Sequence, residues 1–309
     1  MAMSKLQRIV VIGPTASGKS ALAAHLANRL GSIVISADAR QCYRELNIGT
    51  AKPEPELLAM APHRYIDILN PDEPENASAF RRRCDVWEQE HFRQSAAPVV
   101  YAGGSTLYLQ SLLFDLDDVP SANAENLATL KERAEREGLG KLYEELAAID
   151  PVYVARIDGM NRHRMFRALD VWMQTGRPFS SFHKQDGYDD PRARSLVVMP
   201  DIPRAELHAR INQRVDLMIK AGLVEEVRDL LTRWDENLQS LQTVGYREVI
   251  SHLKGDISYE QMKADIKTNT RRYAKRQLTW FRRWPFVQKL PATFHDQLQA
   301  VTACLETSH

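Results

Sequence analysis

The chain has 309 residues, of which 44% are hydrophobic and 26% charged, a balance typical of globular proteins with about two domains. Lys and Arg number 41 against 40 Asp and Glu, so the net charge of +1 excludes any inference about partners from overall charge. The cysteines form no C-x-x-C pair and the histidines show no metal-ligand spacing, which excludes a disulfide framework or a zinc site as the expected organisation.

Two features of the sequence bear on the cellular compartment of the protein. No stretch approaches the roughly 18 apolar residues of a membrane span, and residues 1–7 (MAMSKLQ) are too short for a signal peptide before the first strand. We therefore expect a cytoplasmic chain in a reducing compartment, with no membrane partner. The sequence suggests no obligate protein partner.

The N-terminal part alternates strand and helix patterns. A β-branched run at 7–13 ends at a glycine and precedes a helix over 20–30, in which Leu22, Leu26 and Leu30 recur at i+4. Further buried strands are predicted at 32–38, 63–69, 97–104 and 195–201, and a helix at 78–94. This alternation favours an α/β domain with a mostly parallel sheet.

Between about 118 and 190 the strand patterns disappear. Helix-period apolar residues replace them, separated by Gly138 to Gly140 and by Asp150-Pro151. Because strand character resumes at 195–201, we predict a helical insertion domain at 118–190. The α/β core then consists of 1–117 and 191–309, and after Pro203 it is mostly helical.

Residues 13–20 (GPTASGKS) fit the phosphate-loop template G-x-x-x-x-G-K-[ST], after a predicted strand and at the start of a helix. Two glycines permit the turn, and backbone N–H groups with the helix N-terminus then face an anion. Lys19 adds a positive charge, and the Ser20 hydroxyl is placed to bind Mg²⁺. The predicted phosphate site comprises Gly13, Pro14, Thr15, Ala16, Ser17, Gly18, Lys19 and Ser20.

A nucleotide site of this type usually has an acidic residue after a neighbouring strand, where it helps to hold the metal. The strand at 97–104 ends in Gly103-Gly104-Ser105 instead. The strand at 32–38 brings Asp38 to the carboxyl edge of the sheet, where ligands bind in open α/β folds. From the residues alone, Asp38 could hold metal, take a proton or cap the following turn.

The C-terminal stretch between Asp265 and Asp296 contains no acidic residue. Its eight cations are Lys267, Arg271, Arg272, Lys275, Arg276, Arg282, Arg283 and Lys289. Tyr273, Trp280, Phe281 and Trp284 interleave with them, a pattern typical of nucleic-acid surfaces. The alternative is a helix whose aromatic side chains pack into the core and whose charges are merely solvated.

Two further basic pairs stand at helical spacing. Arg164 and Arg167 are three residues apart in the insertion, and Arg210 and Arg214 are four apart after it. The second pair could clamp a phosphate or pair with acids such as Glu206. A phosphate loop for a small ligand, with separate basic surfaces for a large one, favours an enzyme that acts on nucleic acid.

Eight strings resemble, in order and spacing, the tRNA dimethylallyltransferases, also called tRNA isopentenyltransferases. They are GPTASGKS (13–20), ISADARQCYRELNIGTAKP (35–53), PHRYIDILNPDE (62–73), AGGSTLYLQSLL (102–113), NRHRMFRALDV (161–171), RINQRVDLMIKAGLVEEV (210–227), QTVGYRE (242–248) and RRYAKRQLTWFRR (271–283). The resemblance extends from Arg8 to about Trp284. It implies a P-loop NTPase-like core and transfer of a dimethylallyl group from dimethylallyl diphosphate to N6 of adenine 37 in tRNA. The loop would then hold the donor's diphosphate, although such chains are commonly labelled ATP-binding from the motif.

The resemblance also implies roles for individual residues. Asp38 would be the base, and Lys19, Arg214 and Ser105 would complete the catalytic set. Arg210 would join the loop in binding diphosphate, and Mg²⁺ would be the cofactor, bound at Ser20. The tRNA anticodon stem-loop would contact Asp38, Ala39, Arg40, Gln41, His163, Arg164, Met165, Phe166, Arg167, Gln242, Thr243, Val244, Gly245, Tyr246, Arg247, Lys275, Arg276, Gln277, Trp280 and Arg282.

Two positions depart from the family pattern. Asp38-Ala39 stands where the family usually has Asp-Ser, and Gly103-Gly104-Ser105 where it usually has Gly-Gly-Thr. Neither change removes a charge that the reaction needs, and Ser105 keeps a hydroxyl. Two other readings remain open from the sequence: a small-molecule or nucleoside kinase on the same loop, and a nucleotide-dependent RNA-binding module without covalent chemistry.

Overall fold

A computed structural model of the chain describes residues 6–114, 119–182, 191 and 194–306. The strands are β1 (Arg8–Ile12), β2 (Val34–Ala37), β3 (His63–Arg64), β4 (Val99–Gly103), β5 (Ser195–Pro200) and β6 (Gln288–Leu290). The helices are α1 (Lys19–Leu30), α2 (Pro55–Met60), α3 (Ala77–Gln94), α4 (Thr106–Leu113), α5 (Ala124–Glu137), α6 (Leu139–Ile149), α7 (Pro151–Val154), α8 (Arg162–Thr175), α9 (Arg204–Lys220), α10 (Leu223–Leu230), α11 (Tyr246–Leu253), α12 (Tyr259–Phe281) and α13 (Phe294–Glu306). A 3-10 turn spans Phe179–Phe182.

The strands form one sheet in the order β3-β2-β4-β1-β5-β6, and every described pairing is parallel. The four residues Ile9 to Ile12 of β1 are all fully buried. Because successive side chains of a strand point to opposite faces, both faces of the sheet are covered. The α/β class with a parallel sheet is confirmed.

This topology gathers the carboxyl ends of neighbouring parallel strands at one edge of the sheet. There β1 leads into the phosphate loop, β2 into Asp38 and β4 into Gly104 and Ser105. The backbones of β2 and β4 approach so closely that a Cβ on Gly103 would lie 2.1 Å from the carbonyl oxygen of Ala37. The residue types predicted to act on the ligand therefore share this edge.

Two expected elements differ from the pattern in the sequence. The strand predicted at 63–69 contains only His63–Arg64, because Tyr65 and Asp67 adopt positive φ angles of 65° and 54° that no β-ladder accommodates. Downstream, the N–H groups of Ile68 and Leu69 instead donate to Cys42 O. The sequence also missed β6, which extends the sheet beside β5 within the C-terminal part expected to be helical.

The contacts divide the chain into one unit of 1–113 with 190–309 and a second unit of 114–189. The predicted boundaries, after 117 and after 190, lie outside the described residues. The second unit is helical, as the apolar period indicates, and contains α5 to α8. Its core includes Leu130, Leu142, Leu146, Met165, Phe166 and Leu169.

A buried carboxylate in this helical unit is fully engaged. Asp170 is 0% exposed and accepts hydrogen bonds from Asn126 and Gln174. Its Oδ2 also receives Arg167 Nη1 at 2.8 Å, which makes a charge-assisted pair. Arg167 therefore stabilises the unit's own interior.

Within the described ranges, none of the helices combines the length and apolar content needed to cross a membrane.

A buried ion pair ties the first strand of the sheet to α3. Glu88 receives Arg8 Nε at 2.5 Å and Nη2 at 2.7 Å, and Tyr101 Oη at 2.7 Å. Replacing Glu88 with Ala should lower the free energy of unfolding by about 3 kcal/mol, because Arg8 would remain buried without its counter-charge. Urea denaturation measures this change.

A matched control lies on the same helix. Asp85 pairs with Arg81 where the two side chains are only partly buried, with 41% and 28% of their surfaces exposed. Asp85→Ala should therefore change the free energy of unfolding by less than about 1 kcal/mol. Equal effects of Glu88→Ala and Asp85→Ala would show that burial of the Arg8–Glu88 pair does not matter.

Candidate active site

The phosphate loop has the backbone geometry of an anion site. Ala16 and Gly18 adopt left-handed φ angles of 63° and 82°, so successive residues turn sharply before α1 begins at Lys19. Gly18 provides no side-chain cap for α1. The first N–H groups of that helix, which have no partner within it, are thus available to a ligand.

The loop opens into a cavity of about 250 Å³. Its polar wall includes the predicted Thr15, Lys19, Ser20, Asp38, Ser105 and Arg214. Its apolar wall comes from Ile211, Val215 and Met218 on α9 and Ile266 on α12. The cavity therefore combines three cations, Lys19, Arg40 and Arg214, with one carboxylate and an apolar surface within a small volume.

A second cavity, of about 650 Å³, lies on the other side of the same residues. Lys19, Ser20, Arg214 and Met218 line both cavities. Ala16, Ser17 and Gly18 of the loop line the second one. Lys19 and Arg214 thus border both cavities.

Asp38 is held in a defined orientation after β2. Its Oδ1 accepts the N–H of Arg40 at 2.9 Å, so the carboxylate caps the turn and also lines the cavity. Ser105 supports the same turn, because its Oγ accepts the N–H of Ala39 at 2.9 Å. Ser105 is smaller than the Thr usual in the family pattern, and it still provides the oxygen that the turn requires.

Burial shapes the charges around Asp38. The pKa of Lys19 is lowered to about 8, first by burial and then by the charge of Arg214, against the opposing effect of Asp38. Burial also lowers the pKa of Arg214. The pKa of Tyr273 is raised to about 12, by burial and by the charge of Asp38. Two poorly solvated cations are poised to gain electrostatic energy when an anion enters.

The two arginines of α9 have different environments. Arg214 lines the cavity, and its Nη2 lies 3.5 Å from Ala51 O. Arg210 forms an ion pair of 2.6 Å with Glu206 and is not among the residues that line the cavity. The structure thus shows the Glu206 pairing that the sequence had left open, and it brings only Arg214 to the loop.

The segment after Asp38 forms a wall of the cavity through Gly49 and Thr50. Glu226 on α10 fixes this wall by accepting the N–H groups of Asn47, Ile48 and Gly49 at 2.8 to 3.1 Å. No local pattern predicts this role, since Glu226 is 177 to 179 residues away from its partners in the chain.

Two residues that the sequence assigned to tRNA contact also support this wall. Tyr246 is fully buried, donates its hydroxyl to Glu226 Oε1 at 2.7 Å, and packs where a Cβ on Gly49 would clash at 2.3 Å. Gln41 donates Nε2 to Ala51 O at 3.1 Å and accepts Ser36 Oγ at 2.9 Å. Gln41 lines the cavity, and Tyr246 supports its wall through Glu226 and Gly49.

The remaining residues for which the resemblance implied tRNA contact fall into three groups. Exposed side chains are those of His163, Arg164, Gln242, Arg247, Lys275, Arg276 and Arg282, while Trp280 is half-buried. Thr243, Val244 and Gly245 line the cavity, as do Ala39, Arg40 and Gln277. Met165 and Phe166 lie in the core of the helical unit, which argues against direct contact between their side chains and a large ligand.

The basic C-terminal stretch has features of both expected arrangements, aromatic side chains packed into the core and cations exposed on the surface. Phe281 and Trp284 are buried, as expected of an aromatic stripe that packs inward. The guanidinium of Arg283 lies 5.1 Å from the ring centre of Trp280. Lys275 and Arg276 on α12, and Arg282 just after it, remain on the surface. The helix thus anchors through its aromatic side chains and presents its cations.

The donors in the cavity fit Mg²⁺ bound together with a phosphate ligand. Ser20 offers its hydroxyl to the cavity that also contains Lys19 and Arg214. Mg²⁺ is usually held by one or two protein oxygens, by waters and by substrate phosphates. Among the described residues, no group of three or more His, Cys, Asp or Glu could hold a metal alone. Phosphate oxygens would therefore have to complete the coordination.

Fold and site together define a phosphate-loop α/β protein whose loop faces a carboxylate and an apolar surface in one cavity. The sequence model of the IPP transferase family matches residues 41–284. The chain belongs to that family, as the strings in its sequence predicted.

The chain is similar to the tRNA dimethylallyltransferase of Salinibacter ruber, with 42% identity over 278 residues, 89% of this chain and 85% of the relative. It is 40% identical over 294 residues to that of Geobacter sulfurreducens, 94% of each chain. The crystal structure of tRNA delta(2)-isopentenylpyrophosphate transferase from Staphylococcus epidermidis is similar, with a TM-score of 0.71 and 33% identity. That likeness covers 99% of this chain and 100% of the other. These likenesses confirm the P-loop NTPase-like fold.

Proposed function

We propose that this enzyme transfers a dimethylallyl group from dimethylallyl diphosphate to N6 of adenine 37 in tRNA. The observation that carries the proposal is the composition of the cavity at the loop. Lys19 and Arg214 suit a diphosphate, Ile211, Val215 and Met218 suit a five-carbon chain, and Asp38 suits an amino group that must lose a proton.

The chemistry assigns each group a task. The N6 lone pair is delocalised into the adenine ring, so the nitrogen needs help to become a nucleophile. As N6 bonds to the allylic carbon, the carbon–oxygen bond to diphosphate breaks and the N6 proton passes to Asp38. Lys19, Arg214 and the loop N–H groups stabilise the charge that develops on the leaving diphosphate.

Mg²⁺ held at Ser20 would neutralise part of the negative charge of the diphosphate. The apolar side chains of α9 and α12 exclude water from the allylic carbon. This exclusion protects the donor from hydrolysis while no adenine occupies the cavity.

The anticodon stem-loop is the proposed partner of the exposed cations. Base 37 is stacked within its loop, and its extrusion into the cavity costs a few kcal/mol. Lys275 and Arg276 on α12, with Arg282 just after it, offer contacts to the RNA backbone that offset this cost. Thr243, Val244 and Gly245 line the cavity that the extruded base would enter.

Nucleoside mass spectrometry tests the proposal. Unmodified tRNA with adenine 37 is incubated with the protein, Mg²⁺ and either dimethylallyl diphosphate or ATP. We expect prenylated adenosine only with dimethylallyl diphosphate. No such nucleoside, together with a phosphorylated product from ATP, would favour the kinase interpretation instead.

The pKa of Lys19 leads to a pH prediction. In the free enzyme the ammonium loses its charge as pH rises through about 8, whereas a bound diphosphate favours the charged form and raises that pKa. Above pH 8 binding must therefore take up a proton, and affinity for dimethylallyl diphosphate should fall by up to about tenfold per pH unit. The donor's own charge stays constant there, since phosphate monoesters have their last pKa near about 6.

Calorimetric titration without tRNA, at pH values from 7 to about 9.5, measures this dependence. Lys19→Arg is the control, because arginine stays charged over the whole range. Its binding should be nearly independent of pH. An equal decline for both proteins would show that another group titrates.

A further inference from the structure

The side chain of Gln277 connects three parts of the core. It lies on α12, is 3% exposed, and uses both ends of its amide. Its Oε1 accepts the N–H of Thr15 in the phosphate loop at 3.0 Å. Its Nε2 donates to Gly104 O, just after β4, at 2.8 Å. One side chain thus joins α12 to the loop and to the end of β4.

The two partners require an amide at this position. The backbone N–H of Thr15 is a donor and the backbone carbonyl of Gly104 is an acceptor. The side chain must therefore present one acceptor and one donor in a fixed orientation. Gly104 leaves the space that this contact occupies, because a Cβ there would lie 2.2 Å from Gln277 Nε2. The fit depends on residues 173 and 262 positions away in the chain.

We infer that Gln277 is a positioning residue that holds the phosphate loop in its diphosphate-binding conformation, rather than a contact to tRNA. The inference rests on the proposed function in taking diphosphate as the ligand of the loop. The amide is buried and each of its ends is held by a backbone group, whereas its neighbours Lys275 and Arg276 are exposed and can face the RNA. A loop fixed in advance loses less conformational freedom when it binds.

Binding of inorganic diphosphate with Mg²⁺, measured by calorimetry without tRNA, tests this inference. Gln277→Ala should weaken diphosphate binding roughly five- to tenfold, the range expected for a lost hydrogen bond. The Kd for tRNA, measured separately, should stay within about twofold of wild type. The matched control is Gln261→Ala, which removes an exposed glutamine side chain of α12 that donates to Asp265. It should change neither Kd.

Gln277→Glu provides a second readout that a change in stability would not mimic. Near neutral pH its carboxylate cannot donate to Gly104 O and repels the ligand, so diphosphate binding should be weaker than in Gln277→Ala. A protonated carboxyl offers one donor and one acceptor, as the amide does. Because burial at this position raises the pKa of a carboxyl above its ordinary value, the ratio of variant to wild-type Kd should fall towards one as the pH falls from 7 to about 5.

An unchanged diphosphate Kd in Gln277→Ala would overturn the inference, and so would a Gln277→Glu ratio that does not change with pH. A selective loss of tRNA affinity would assign Gln277 to the RNA interface instead. The proposed function fails on a different observation, the absence of prenylated adenosine. The two outcomes are distinguishable because diphosphate binding is measured without turnover.

Discussion

Asp38→Asn should lower the rate of dimethylallyl transfer roughly 10²- to 10⁴-fold, the usual contribution of a positioned general base. The amide of Asn cannot take the N6 proton, so the carbon–nitrogen bond would have to form without that assistance. Binding of tRNA and of diphosphate should stay close to wild type, since Asp38 offers no positive charge to either. Single-turnover kinetics with saturating tRNA measure the transfer step directly.

Asn is the informative substitution because it keeps the local structure. Its Oδ1 can still accept the N–H of Arg40, the bond of 2.9 Å that orients Asp38 after β2. The RNA-binding interpretation without covalent chemistry predicts that Asp38→Asn leaves every function intact. Transfer at the wild-type rate would show that Asp38 is not the base.

Lys19→Met should lower kcat/KM for dimethylallyl diphosphate by about 10²- to 10³-fold, as does the loss of one group that stabilises a developing anion. Lys19 shares the cavity with Arg214, and the pKa values of both are lowered by burial. A cation held in such surroundings interacts strongly with the leaving diphosphate, because little water screens it. Initial rates at varied donor concentration and saturating tRNA give the value.

The matched control is Lys220→Met, which makes the same substitution at an exposed position in the last turn of α9. It should leave kcat/KM within about twofold of wild type. If Lys19→Met retained normal kcat/KM, the phosphate loop would not hold the donor in this enzyme. A loss in both variants would point to a general effect of charge.

The parts of the fold that the sequence predicted are those with strong local patterns. The phosphate loop is a contiguous string between a β-branched run and a helix, and Asp38 directly follows an apolar strand, so both could be placed at the sheet edge. β6 has only three residues, two of them exposed, and forms because β5 lies beside it. Pairing with a distant strand leaves no such pattern in the sequence.

The apolar wall of the cavity was beyond prediction for a related reason. Ile211, Val215 and Met218 repeat at helical spacing, and that repeat is the same whether a helix packs into a core or borders a cavity. Gln277 and Glu226 likewise acquire their roles from backbone groups brought near by tertiary packing. Arg210 and Arg214 looked equivalent in sequence, and the packing of α9 brings only Arg214 to the loop.

The most direct measurement of the central claim locates the transferred group. An anticodon stem-loop carrying ¹⁵N at the amino group of adenine 37 is incubated with the protein, Mg²⁺ and dimethylallyl diphosphate, and its fragments are analysed by tandem mass spectrometry. We predict that the five-carbon group and the ¹⁵N label remain together in the adenine fragment, and that Asp38→Asn forms this product at a much lower rate. A group attached to another atom or another base, or an unmodified stem-loop, would contradict the account.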